Sequence, residues 1–331
     1  MPSHYPKGDP IMNKAAAGTY LALQVPRQNH LKKIWKTVLK YRWLYIMMLP
    51  GLLYFIIFRY WPLWNAQIAF KDFKPLLGVE ASPFVGFEHF IAFFKSFYFS
   101  QLIGNTLIFS LAKLILGMPV AIILAISIYE SAFKRFARFV QTISYMPHFL
   151  SWVIMFGILL VLLSPGEGLI NEIIKSLGGQ PIPFLTSPEY FRGVVVISDI
   201  WKETGWSTII YLAALIAIDP TLFEAAAVDG ASRLQRIWNI SLPGILPAIV
   251  VVTILRLGNI LDAGFNQIFV LYSLPVYSVS DIIDTWVYRQ GVLEFQFALA
   301  TAVGLFKGVI GLVMILVANR MAKKLAGSAI Y

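Results

Sequence analysis

The polar side chains in this sequence that could do chemistry lie inside long apolar runs. Arg256, Asn259, Asp262 and Asn266 recur at steps of three, three and four within residues 245–271, which lines them along one face of a helix. Asp199, Lys202, Glu203 and Trp206 form a similar stripe within residues 193–218, while Lys113 and Lys307 stand alone in two further runs. A charged side chain at membrane depth costs roughly 2.5 to 3.5 kcal/mol on insertion scales, so such groups face a protein interior or a watery path. Two compatible readings follow. The stripes border a route for polar cargo, or the charges pair internally, Asp199 with Lys202 or Glu203, and hold helices together.

Other chemistries find little support. There are no cysteines, and His4, His30, His89 and His148 are scattered, which argues against a metal site. No Gly-x-x-x-x-Gly-Lys-Ser/Thr loop occurs, so a nucleotide's phosphates have no such cradle here. Tryptophan and tyrosine are plentiful enough to stack on sugar rings, but interfacial belts account for most of them.

The elements that carry these residues are set by composition. The chain has 331 residues, 58% hydrophobic and only 13% charged, with a mean hydropathy of +0.71. Soluble domains average roughly 25% charged residues, so so little charge cannot cover a soluble surface of this size. Apolar runs near the ~20 residues needed to cross a bilayer fall at 43–60, 102–129, 139–163, 193–218, 245–271 and 297–318. The expected fold is therefore all-α, with six transmembrane helices. No small-residue cleavage site follows the first run, which reads as a retained span.

Basic residues orient the spans. Arg27, Lys32, Lys33, Lys36, Lys40 and Arg42 precede the first; Lys134, Arg135 and Arg138 follow the second; Arg233 and Arg236 follow the fourth; Arg320, Lys323 and Lys324 follow the sixth. All fall on one side of a six-span chain. By the positive-inside rule both termini are cytoplasmic, and the net charge of +10 is explained without nucleic acid. The expected organisation is a basic cytoplasmic segment at 1–42, a six-helix domain at 43–320 and a cytoplasmic tail at 321–331. On the outer side, Leu169, Ile170, Ile173, Ile174 and Leu177 predict a short amphipathic helix along the membrane face. In the last span Gly304 and Gly308 permit close helix contact, as at a subunit interface.

The segment at 219–243 reads as a two-helix elbow. Thr221 with Glu224 and Ser232 with Gln235 each have capping-box spacing, and Pro220 suits a first helical turn. Gly230 sits between the helices, where a positive φ lets the chain turn, and Pro243 is expected to end the second. Ala225, Ala226 and Ala227 allow close approach of another backbone, while Leu234, Ile237 and Trp238 form an apolar stripe. The elbow is either a docking surface or an interfacial helix packed on its own bundle.

Glu224, Ala225, Ala226, Gly230, Ile240, Leu242 and Pro243 resemble, at the same spacing, the EAA loop of membrane subunits in bacterial binding-protein-dependent ABC importers. The resemblance implies the type I ABC importer permease fold in the cell membrane. It also implies that the loop, here Glu224, Ala225, Ala226, Asp229, Gly230, Leu242 and Pro243, docks in a cleft of an ATPase subunit and transmits its closure. Implied partners are a second, homologous permease subunit, a pair of ABC ATPase subunits that bind the ATP and magnesium, and an extracytoplasmic solute-binding protein. This chain would hold no cofactor and catalyse nothing. Beyond residue 144, Ser144-Tyr145-Met146-Pro147-His148, Ile182-Pro183-Phe184-Leu185-Thr186, Ser198-Asp199-Ile200-Trp201-Lys202, Gly258-Asn259-Ile260-Leu261 and 300–307 are similar to carbohydrate permeases for aldouronate, polysaccharide and alginate. That likeness implies an oligosaccharide cargo, uronate-type among the options. Two rivals stand beside it: an ion-coupled secondary transporter, which suits Asp199 and Asp262 but leaves the elbow idle, and an integral membrane enzyme, for which no paired acids or ligands have convincing spacing.

Overall fold

The computed structural model describes residue 35 and residues 37–326. The basic residues before the first span lie mostly outside the described residues, as does the end of the tail. The chain divides into two units, one through Trp64 and one from Asn65.

In the first unit, α1 (Arg42–Phe55) runs through a wide turn at Ile56–Tyr60 into a tighter helix beginning at Trp61. The helical path Arg42–Phe70 is 29 residues long, enough to cross a membrane. Pro50 sits inside α1. A membrane helix tolerates this where neighbours or local adjustment satisfy the freed carbonyl.

Among the described residues of the second unit, the regular structure is helical apart from one isolated bridge between Lys71 and Phe84. A short α2 (Glu88–Lys95) precedes α3 (Phe99–Tyr129), which is long and apolar enough to span. The third span is bent: α4 (Lys134–Tyr145) carries the basic cluster and runs on through a tight turn to Phe149, which meets α5 (Trp152–Leu163) at 108° across Leu150 and Ser151. α6 (Leu169–Ser176) is the short amphipathic helix expected there, closed by Gly178 at φ +82°. α7 (Pro188–Ile216) follows, then α8 (Pro220–Val228) at 70° to it, α9 (Arg233–Arg236) and α10 (Leu242–Gly258). After α10 come the short α11 (Phe265–Leu271), α12 (Ile283–Tyr288) and the last span, α13 (Phe297–Ala326). Among the described residues three helices are long and apolar enough to cross alone, and counting each bent pair as one span gives up to six.

α3 and α7 pack along one another as the axis of this unit. Ala121, Ala125, Tyr211, Leu215 and Ile245 form a buried cluster at one end, and Phe109, Val195, Ala263 and Ile268 belong to a second. Close backbone approach depends on particular glycines. A Cβ at Gly205 on α7 would fall inside the backbone at Ser144 and Tyr145, where α4 ends, and one at Gly258 would fall inside Ile315 on α13.

Candidate functional site

The fifth span is interrupted, contrary to the single helix expected over 245–271. α10 stops at Gly258, Asn259 takes a non-helical φ of −107° and ψ of 25°, and helix resumes only after Gly264 at φ +92°. Glycines flank a stretch that cannot hold the i to i−4 ladder, so the opened backbone must be satisfied by side chains. Asp262 Oδ1 accepts from the Gly264 N–H at 3.3 Å, and Lys113 Nζ, reaching from α3, donates to the Ala263 carbonyl at 2.9 Å. Lys113 also donates to Gln267 Oε1 and pairs with Asp199 Oδ1 at 3.0 Å. Its three N–H bonds are thereby all engaged.

Beside this break lies a cleft of about 400 Å³, lined by Lys113, Asp199, Glu203, Arg256, Asn259 and Asp262 together with apolar residues of α3, α7 and α10. The break rather than a helical face gathers Arg256, Asn259 and Asp262. Asn266 is exposed and does not line the cleft; its neighbour Gln267 is fully buried, donating to the Val195 carbonyl at 2.7 Å and Ser198 Oγ at 3.0 Å. A stripe drawn at helical steps keeps its first three members on the cleft and loses the fourth beyond the unwound turn.

The expected charge pairs are redrawn as well. Asp199 pairs with Lys113, not with Lys202 or Glu203, and Lys113 is not alone. Lys202 is buried, donating to the His148 carbonyl at 2.7 Å and Glu203 Oε1 at 3.1 Å, while Glu203 Oε2 lies 2.8 Å from His148 Nδ1. Trp206 lines no part of the cleft; it stacks on the His148 ring, centroids 4.5 Å apart. Lys307 meets both oxygens of Asp284 at 2.7 Å. Arg256 has no ion-pair partner among the described residues and donates to Ser207 Oγ at 3.1 Å. Sequence reasoning missed His148, Gln267 and Asp284, which lie far along the chain from the groups they hold. The Gly258 and Gly264 pair was the signal for the break.

The elbow forms, with one cap reassigned. Asp219, not Thr221, is the N-cap of α8: its Oδ1 accepts from the Thr221 N–H at 2.9 Å. That backbone bond, with a further one to the Thr221 hydroxyl, holds the Asp219 carboxyl below its ordinary range. Glu224 caps nothing and is exposed. Gly230 has φ +75°, and the Ala231 N–H returns to the Ala226 carbonyl at 2.9 Å, closing the turn after Asp229. Ser232 and Gln235 form the expected reciprocal box. Pro243 does not end a helix. A wide turn at Ile237–Ser241 absorbs its missing N–H, and Leu242 and Pro243 open α10. Tyr129 meets Phe223 at 5.7 Å between ring centroids, and Arg236 lies 3.9 Å from Glu130, so the elbow rests against the end of α3. Leu222, Val228, Leu234 and Trp238 remain exposed.

Gly304 and Gly308 do not make the close contact within this chain, since a Cβ at either would meet open space. Gly311, one turn on, is the residue against the Gly258 carbonyl.

Residues 117–328 match the family model for the binding-protein-dependent transport system inner membrane component. The chain belongs to that family: it is a multi-pass inner-membrane permease subunit of an ABC importer, with the type I fold, and not itself the catalytic subunit. It is 45% identical over 305 residues, covering 92% of this chain and 95% of the other, to the polygalacturonan/rhamnogalacturonan transport system permease protein YteP of Bacillus subtilis (strain 168). Protein LplB of the same strain is 44% identical over 88% of this chain and 92% of its own. Among solved structures, a chain of a bacterial ABC transporter involved in import of the acidic polysaccharide alginate superposes with a TM-score of 0.82 at 42% identity, covering 88% of this chain and 99% of that one. A chain of the bacterial alginate ABC transporter in complex with an alginate pentasaccharide-bound periplasmic protein gives 0.83 at 41%, over 90% and 100%. Family membership sets aside the gradient-driven transporter and the membrane enzyme.

Proposed function

We propose that this permease imports acidic oligosaccharides delivered by an extracytoplasmic solute-binding protein. One observation carries the reading: over nine-tenths of its length the chain is similar both to a permease for pectic polysaccharides and to one chain of an alginate importer. A uronate backbone is what those two cargoes share. The cleft at the break in the fifth span is the cargo's route, with Arg256, Asn259 and Asp262 facing it and Asp199 in its wall. Lys202 and Trp206 act from behind, steadying His148 and Glu203. Asn266 is left out of the route.

The elbow is the coupling element. Glu224, Ala225 and Ala226 on α8, the turn at Asp229 and Gly230, and the entry to α10 at Leu242 and Pro243 would seat in an ATPase subunit, and the exposed Leu222, Val228, Leu234 and Trp238 supply apolar contact. The complex comprises this chain, a second homologous permease and a pair of ATPases that hold the ATP and magnesium. Both termini are cytoplasmic, with a basic segment at 1–42 and a tail at 321–331 flanking the six-span domain.

Proteoliposomes holding the whole complex test the reading. ATP-dependent uptake of an oligogalacturonide is expected in the presence of the cognate binding protein. Uptake that persists without the ATPases and follows an ion gradient, or no uptake of any uronate oligomer, refutes it.

A further inference from the structure

Building on the acidic-cargo reading, we infer that Arg256 is the specificity residue that takes the cargo's carboxylate, with Asp262 accepting hydrogen bonds from the sugar hydroxyls. The inference comes from which charges are already used. Lys113 is consumed by Asp199, the Ala263 carbonyl and Gln267; Lys202 by the His148 carbonyl and Glu203; Lys307 by both oxygens of Asp284. Each of these cations already has a fixed carboxylate as its partner, so its charge is answered before a guest arrives.

Arg256 differs. It lines the cleft half-buried, and its one recorded side-chain bond is the donation from Nη2 to Ser207 Oγ at 3.1 Å. A guanidinium has five N–H donors in a planar fork, so most of them are unspent, and the fork matches a carboxylate in two parallel bonds. Ser207 tethers one edge and leaves the fork oriented. Asp262 is the complementary case: an exposed carboxylate on the same cleft with no cation partner among the described residues, whose Oδ1 is engaged only with the Gly264 N–H. Ionised carboxylates are acceptors only, which suits sugar hydroxyls. The paired charges of the cleft cancel, and one fork and one acceptor remain, as a uronate unit requires with its single carboxylate among hydroxyls.

The test compares uptake of trigalacturonate with uptake of its fully methyl-esterified form by the whole transporter in proteoliposomes. The acid-to-ester ratio is normalised to the wild type, so that any preference of the binding protein cancels. In Arg256→Gln the ratio should fall about ten-fold or more, the scale of a lost charge-assisted bond; an unchanged ratio overturns the inference. If Arg256→Gln does not assemble, Arg256→Lys decides instead: it keeps the charge without the fork, a several-fold fall is expected, and no change overturns the proposal. A wild-type complex that transports neither oligomer removes the acidic-cargo reading itself, an outcome distinct from an unaltered ratio in a working importer.

Discussion

Lys113 is a lone cation in an apolar span, and what it does there follows from its three protons. One meets Asp199, and two hold the chain open where the fifth span unwinds. Both partners are largely buried, with side-chain exposures of 9% and 19%, so removing one strands the other's charge. Lys113→Met should destabilise the chain by about 3 to 5 kcal/mol, and adding Asp199→Asn should restore part of that loss. Thermal unfolding of the detergent-solubilised complex checks this, and strictly additive effects would show that the pair does not act as one unit. At the start of the elbow, Asp219 obeys a different rule. Its carboxyl is held below the ordinary range by the Thr221 N–H, so the folded form binds its proton less readily than the unfolded one. The cap's contribution is therefore present above the ordinary carboxylate range and lost as pH falls through the lowered value. Amide protection at 221–228 should weaken on acidification in the wild type, and that dependence should vanish in Asp219→Ala; identical acid profiles would discount the cap.

Two glycines decide how helices meet, and their substitution should have unlike consequences. Gly230 turns the elbow at φ +75° with open space around it, so Gly230→Val strains only the backbone. A cost of about 1 to 3 kcal/mol is expected, together with substrate-stimulated ATP hydrolysis that no longer drives uptake. Normal coupling in that variant would remove the elbow from the transmission path. Gly205 has a negative φ and an occupied surrounding: its missing Cβ is what lets α7 lie on the backbone where α4 ends. Gly205→Ala should cost about 1 to 3 kcal/mol through overpacking, read as a lower unfolding temperature, whereas Gly304→Ala meets open space within this chain. Equal melting of the two variants would contradict the packing described.

Across the whole molecule, sidedness is the property that every functional assignment shares. The positive-inside rule puts the basic residues at 134–138 and 233–236 on the elbow's side of the membrane and Lys175 on the other, which labelling can test. The chain has no cysteines, so single ones report cleanly. A cysteine replacing Lys134 should be protected from an impermeant thiol reagent in intact cells, and one replacing Lys175 should react; the reverse would invert the topology. The span lengths and much of the elbow were legible in the sequence, because hydropathy runs and local capping depend on residues close in the chain. The elbow shows the limit even there: the Ser232 and Gln235 box and the turn at Gly230 formed as expected, but Asp219 took the first cap, since an N-cap acid competes at the same helix start. What only the tertiary structure decided was the break in the fifth span and the cleft beside it. Helical spacing placed Arg256, Asn259, Asp262 and Asn266 in one stripe, yet the backbone opens at Gly258 because Lys113, some 150 positions away in sequence, satisfies the Ala263 carbonyl. Periodicity records a helix's faces and carries no information about a donor on a distant helix. That donor, with the Asp262 carboxylate on the Gly264 N–H, satisfies backbone groups that the lost helical ladder leaves open.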